Sequence, residues 1–254
     1  MKILAIGNSF SDDSTEYLYP VLEALGVQDI SLGNLHIPGC PIQVHVENIQ
    51  NNTPAYDYRI NTNNSWETTV NYPLQTALCS QEWDIVTMQQ ASHDSGIQES
   101  YQLLPKLVDF VRQQKGKGVK LAWNMTWAYQ KDSWHPEFVR YEKDQEKMYN
   151  AILEAVKACV LPIEEFSYVI PVGTAVQNAR TSSLGDTLTR DGFHLSIPLG
   201  RYIAALTWGR VLTGKNVEDI AYAPVEVDEK LKAIAIESVE NAVKNPFEIT
   251  PSVL

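Results

Sequence analysis

The stretch Lys2-Ile3-Leu4-Ala5-Ile6-Gly7-Asn8-Ser9-Phe10-Ser11 decides how the rest of this chain is read. Aliphatic side chains on successive positions suit a strand that is buried on both faces, and the glycine marks where the strand stops. A segment of helical spacing follows at Thr15–Leu25, interrupted by Pro20 and closed by Gly26. The same alternation then recurs. Asp29–Ile37, Trp83–Gln89, Val119–Trp127 and Phe166–Val172 read as further strands. Tyr101–Gln114, Phe138–Cys159, Leu199–Leu212 and Asp228–Val243 read as helices. Repeated strand–helix alternation implies parallel strands joined by right-handed crossovers, with helices on both faces. The expectation is an α/β fold: a three-layer α/β/α sandwich around a five-stranded parallel sheet, with residues 1–254 forming one domain.

Residues 41–82 break this rhythm. Two alternating segments, Tyr56–Ile60 and Trp66–Val70, flank the Asn-rich centre Asn61-Thr62-Asn63-Asn64, which is the pattern of a β-hairpin. The stretch reads as an insertion, either a lid or substrate wall beside the site or a solvated decoration.

The chain carries a net charge of −11 and no basic stripe. That excludes nucleic acid and anionic membrane surfaces as partners, since both reward clustered Lys and Arg. No apolar run approaches the roughly 20 residues that a membrane-spanning helix needs. The N-terminus enters the Gly-Asn-Ser stretch too soon for a signal core, which points to the cytoplasm, or to the periplasm or exterior if a leader has been removed. Cys40, Cys79 and Cys159 are odd in number, widely spaced and without metal-ligand spacing, so they read as buried or partly buried thiols. His36, His45, His93 and His135 show no paired spacing either, and no Gly-rich phosphate loop is present. Neither a metal nor a cofactor is expected.

Two short motifs carry chemistry. Ser9 lies just past the end of the first strand, where ligands of open parallel sheets bind. Alone, Gly7-Asn8-Ser9 is also compatible with a plain turn in which Ser11 or Asp12 caps the next helix. The second motif is Asp191-Gly192-Phe193-His194, in a glycine-containing turn ahead of an apolar helix. Its spacing presents a carboxylate beside the imidazole that it must orient. Ser9, Asp191 and His194 thus form a candidate acyl-transfer triad of nucleophile, orienter and base.

With these residues in place the chain resembles the SGNH/GDSL hydrolases, a superfamily of flavodoxin-like α/β/α esterases and lipases. The apolar strand with Gly7-Asn8-Ser9 is similar to the first block of that family, and Asp191 to His194 to its last. The resemblance spans residue 2 to about 213. It implies an oxyanion hole built from the N–H of Ser9, the N–H of a second-block glycine and a third-block side chain. Gly39 is the better match for that glycine and Gly33 the poorer. The third block departs from the family pattern: Met88-Gln89-Gln90-Ala91-Ser92-His93-Asp94 lacks the usual Gly-x-Asn-Asp. Gln90 is the expected substitute donor, with Gln89, Ser92 and His93 behind it. The Gln89–Ser92 and Thr126–Tyr129 stretches resemble a bacterial branch found with carbohydrate-processing genes, which implies sugar esters. Trp127 and Tyr129 are expected to form a stacking wall, with Gln89 as a further substrate contact. The resulting expectation is a serine esterase acting on small acyl groups, chiefly acetyl on carbohydrates. Its rivals are a lipid or thioester acyl hydrolase and a catalytically lapsed domain binding glycans through Trp66, Trp127 and Tyr129.

Overall fold

The computed structural model describes residues 1–254 and contains a mixed seven-stranded sheet in the order β4-β3-β2-β1-β5-β6-β7. The strands are β1 (Lys2–Gly7), β2 (Ser31–His36), β3 (Tyr56–Asn61), β4 (Trp66–Tyr72), β5 (Ile85–Met88), β6 (Lys120–Asn124) and β7 (Phe166–Ile170). Five of them, β2, β1, β5, β6 and β7, run parallel, as the alternation implies. The sheet is wider than expected because the 41–82 excursion supplies two more strands. β3 pairs antiparallel with β2 from Leu32↔Asn61 to His36↔Asp57, and β4 pairs antiparallel with β3. The hairpin therefore forms, but as an edge of the sheet and not as a flap over the site. The helix Ile42–Asn51 lies between β2 and β3, and the antiparallel pairing of β3 with β4 needs only the short turn after Asn61.

Nine α-helices cover the sheet: α1 (Ser9–Thr15), α2 (Leu18–Ala24), α3 (Ile42–Asn51), α4 (Leu74–Cys79), α5 (Leu104–Lys115), α6 (Gln145–Cys159), α7 (Val172–Arg180), α8 (Leu199–Thr213) and α9 (Glu229–Lys244). α8 packs against α1, α2, α7 and α9 in one layer, and α3, α4 and α5 pack together in the other. Covered on all sides, α8 buries Tyr202, Ile203, Leu206, Trp208 and Leu212 and shows no polar face. No helix is long and apolar enough to cross a membrane.

Several boundaries move for local reasons. The first helix starts at Ser9 itself, because Asn8 caps it: the Asn8 Oδ1 accepts from the Phe10 N–H at 2.9 Å. The segment Phe138–Cys159 splits, because Glu142 and Lys143 adopt left-handed backbone and Asp144 restarts the chain as the cap of α6. α7 follows β7 at once, where the sequence reading had placed no helix. One continuous core links β1 to α9. Ile3, Leu4 and Ile6 of β1 are 1% exposed or less, each burial stabilising by about 2 kcal/mol.

The connections leaving β1 and β5 diverge, since β1 leads to β2 on one side and β5 to β6 on the other. Such a divergence opens a crevice beyond the strand ends. Ser9 follows β1, Gln89 and Gln90 follow β5, and Ile37–Cys40 follow β2, all at that end.

Candidate active site

Ser9 opens α1 directly after the capping Asn8, so its side chain stands at the rim of the crevice. Gly7 allows this turn to close: a Cβ there would lie 2.5 Å from the Ser11 Oγ and 3.2 Å from the Gln89 side chain. Across the crevice, the loop Leu188–Ser196 folds back on itself. Thr189 bridges Leu195, the Arg190 N–H donates to the His194 carbonyl at 2.9 Å, and the Ser196 N–H donates to the Leu188 carbonyl at 2.8 Å. Gly192 turns the tip with φ of +92°, a conformation that a side chain would strain.

This turn lets the Asp191 carboxylate accept from the N–H groups of Phe193 (3.2 Å) and His194 (2.8 Å) with Oδ1, while Oδ2 faces His194 Nδ1 at 2.6 Å. The other imidazole nitrogen, Nε2, lies 2.9 Å from the Ser9 Oγ. Ser9, His194 and Asp191 thus form one continuous hydrogen-bonded chain across 185 residues of sequence. Burial raises the Asp191 pKa, but the hydrogen bonds from His194 and Phe193 outweigh it and hold the carboxyl below its ordinary value. It therefore stays ionised and able to orient the imidazole. The Ser9 Oγ is in the position of a nucleophile, His194 Nε2 in that of its base.

The oxyanion side is simpler than expected. The N–H groups of Ser9 and Gly39 donate in none of the turn, loop or cap hydrogen bonds of the chain. Asn8 Nδ2 donates to the Cys40 carbonyl at 3.2 Å, which ties the Gly39 turn to the Ser9 turn. Gly33, in mid-strand, is packed against Leu4 and Trp83 and stands away from the crevice. Gln90 does not offer a third donor. It is 1% exposed, its Nε2 donates to the carbonyl and hydroxyl of Ser100, and its Oε1 accepts from the N–H groups of Ile42 and Ala91. Gln89 is also buried: its amide donates to Asn8 Oδ1 and accepts from Asn124, which in turn accepts from the Trp208 indole. Ser92 is bonded to the Tyr129 hydroxyl at 2.8 Å. His93 lies beside Asp94 at 3.6 Å, and no contact brings it to Ser9.

The expected stacking wall is not one. Trp127 is fully buried, stacked on Phe10 with ring centroids 4.1 Å apart, and its Nε1 donates to the Phe193 carbonyl at 2.7 Å. It supports the catalytic turn from beneath. Tyr129 is equally buried, against His135, Phe138 and Phe193. Trp66 lies under the Arg59 guanidinium, paired with Asn61 at the end of the hairpin remote from Ser9. The aromatic face presented at the rim belongs to other residues. Trp134 is 71% exposed and meets Phe193 edge-on at 5.7 Å, and the Phe193 ring lies 4.3 Å from that of His194. A solvent-exposed tryptophan in a loop carries no periodic signal, so the sequence pattern does not single it out.

Of the free thiols, Cys79 is exposed, Cys159 half-buried and Cys40 buried. Cys40 Sγ lies 3.6 Å from His45 Nδ1, a pairing that invites comparison with a cysteine–histidine nucleophile. Burial with the nearby Glu47 pushes the thiol up to about 12, and burial pushes His45 down to about 3, so the pair stays neutral and unreactive. No group of three or more His, Cys, Asp or Glu is arranged to hold a metal ion.

The α/β/α fold is one that SGNH/GDSL-type hydrolases share. The chain belongs to the family described as domain of unknown function DUF4886, which matches residues 2–242. It is similar to a DUF4886 family protein from Bacteroides uniformis, with 42% identity and a TM-score of 0.95 over 98% of this chain and 97% of the other. A candidate SGNH hydrolase from Slackia heliotrinireducens shares the fold at 21% identity and a TM-score of 0.52, over 84% of this chain and 98% of that one. An acetylxylan esterase from Geobacillus stearothermophilus shares it at 13% identity and a TM-score of 0.53, over 87% and 94% of the two chains. No curated protein matches.

Proposed function

We propose that this protein is a serine esterase that removes small acyl groups, chiefly acetyl, from carbohydrate esters. The observation that carries the reading is the hydrogen-bonded chain Ser9 Oγ–His194 Nε2 (2.9 Å) and His194 Nδ1–Asp191 Oδ2 (2.6 Å). The Ser9 Oγ attacks the ester carbonyl and gives its proton to His194 Nε2. The tetrahedral oxyanion is held by the N–H groups of Ser9 and Gly39. Collapse expels the alcohol, which takes the proton from His194 and leaves an acyl-Ser9 ester. Water then attacks that ester with His194 again as base, and the acid departs. Asp191 stays ionised throughout and stabilises the imidazolium.

The choice of a sugar ester is supported by the exposed Trp134, which meets Phe193 beside His194. It is supported in addition by fold likeness to an acetylxylan esterase. The glycan-binding alternative loses its binding face, since Trp127 and Tyr129 are buried and Trp66 is remote.

Hydrolysis of p-nitrophenyl acetate and octanoate by the wild type, Ser9→Ala and His194→Ala tests the proposal. Acetate should be cleaved faster, and each variant should lose at least about a thousandfold in kcat. Preference for octanoate would redirect the substrate to lipid-like acyl chains. A wild type no faster than its variants on either ester would overturn the esterase reading.

A further inference from the structure

Asp13 is fully buried, one helical turn beyond Ser9 on α1. A buried carboxylate is costly unless its oxygens are fully engaged. Here Oδ1 accepts from Arg190 Nη1 (2.9 Å) and Arg201 Nε (2.8 Å), and Oδ2 accepts from the Leu195 N–H (2.8 Å). Two of these three donors lie in the loop that carries Asp191 and His194, and they flank those residues on either side. Arg190 also donates to the Leu195 carbonyl, so one guanidinium closes the base of the loop and binds it to α1. Arg201 adds α8 to the same node. Its neighbour Asp12 points elsewhere, to Arg59 at 2.8 Å and to Asn34, on the β2–β3 side.

We infer that Asp13 is the positioning residue of the triad: it fixes the catalytic loop to the helix that carries the nucleophile, and so sets the distance between His194 Nε2 and the Ser9 Oγ. The reference length is then four residues of one helix instead of a path through the whole core. Asp13 does not touch the reacting atoms. It acts through Arg190 and Leu195 on the loop geometry, and displacement of a base by about 1 Å costs on the order of a hundredfold in rate. The kinetic arm of the test rests on the esterase reading of Ser9, and the spectroscopic arm does not.

Asp13→Asn keeps the shape and one acceptor but removes the charge that both guanidinium groups need. Arg190→Gln cuts the clamp from the loop side, at a side chain about one-third exposed, where folding is less at risk. Both would be assayed on p-nitrophenyl acetate well below their melting temperatures, together with the NMR signal of the His194 Nδ1 proton, expected downfield in the wild type from its 2.6 Å bond to Asp191. The expected result is a fall in kcat of about tenfold to a hundredfold with KM within about twofold, partial recovery in Arg190→Lys, and loss or displacement of the proton signal. Folded variants with the wild-type kcat and an unchanged signal would overturn the inference. If Asp13→Asn does not fold, Arg190→Gln decides on the same two readouts. If the wild type cleaves no ester, the esterase reading fails, and the proton signal alone decides whether Asp13 positions His194.

Discussion

The ends of β1 and β5 lie side by side at the same edge of the sheet, yet they treat their polar groups in opposite ways. After β1 the Ser9 N–H, and after the adjacent β2 the Gly39 N–H, donate in none of the turn, loop or cap bonds. After β5, Gln89 and Gln90 are engaged at both ends of their amides: Gln89 links Asn8 to Asn124, and Gln90 links Ile42 and Ala91 to Ser100. The difference separates two tasks. A reactive turn needs unspent donors facing the crevice, and unspent donors are held in place only if the layer behind them is fully satisfied. The third block of this chain is the supporting layer. Where the Gly-x-Asn-Asp pattern would place a free side-chain donor, this chain has two glutamines whose amides are already engaged.

Substitutions that spare size but remove the amide break this comparison directly. Gln89→Leu leaves Asn8 and Asn124 without their shared partner. It should destabilise by about 3 kcal/mol and lower kcat on p-nitrophenyl acetate by about a hundredfold, because Asn8 also caps the Ser9 helix. Chemical denaturation and kinetics on the same preparation check both numbers. Gln90→Leu should destabilise by a similar or slightly smaller amount, about 2–3 kcal/mol, but leave kcat within about threefold in the folded protein. A stable Gln90→Leu variant with a hundredfold loss in kcat would make Gln90 an oxyanion donor after all.

The same contrast separates two histidines. His194 is partly exposed, and its ring nitrogens face Asp191 and Ser9, whereas His45 is buried with Nδ1 at 2.9 Å from the Tyr56 hydroxyl. Burial lowers the His45 pKa from 6.5 to about 3. The unfolded chain therefore binds the proton more readily than the folded one. The stability contribution is complete above about pH 6.5 and is lost as pH falls through the window from 6.5 towards 3. This group alone should cost about 2 kcal/mol between pH 8 and pH 5. Urea unfolding at the two pH values should show that slope in the wild type and a flatter one in His45→Gln, which keeps an acceptor for Tyr56.

What could be read from sequence follows the same division. The juxtaposition of Ser9, His194 and Asp191 was legible because its parts rest on local features, a strand stop before Ser9 and the Asp191–His194 spacing in a glycine turn. The parallel half of the sheet was legible from runs such as Ile3–Ile6 and Val119–Trp127. The hairpin was legible as a hairpin, but its place at the edge was set by pairing with β2, which no local pattern encodes. The direction of a side-chain amide is decided by whichever distant groups surround it, so Ser100 and Ile42 took Gln90 from the role expected of it. Trp127 and Tyr129 follow a strand end that normally faces a ligand, but Phe10 and the 134–138 segment cover them. Asp12 and Asp13 are adjacent and alike in sequence. About 100° of helical rotation sends one to Arg59 and the other beneath the catalytic loop.

Covalent labelling asks directly whether Ser9 is an activated nucleophile. The wild type and His194→Ala would be treated with a fluorophosphonate, and the adduct located by peptide mass spectrometry. One adduct per chain, on Ser9, is expected, with its loss in His194→Ala. An unlabelled wild type, or a label on any other residue, would contradict it.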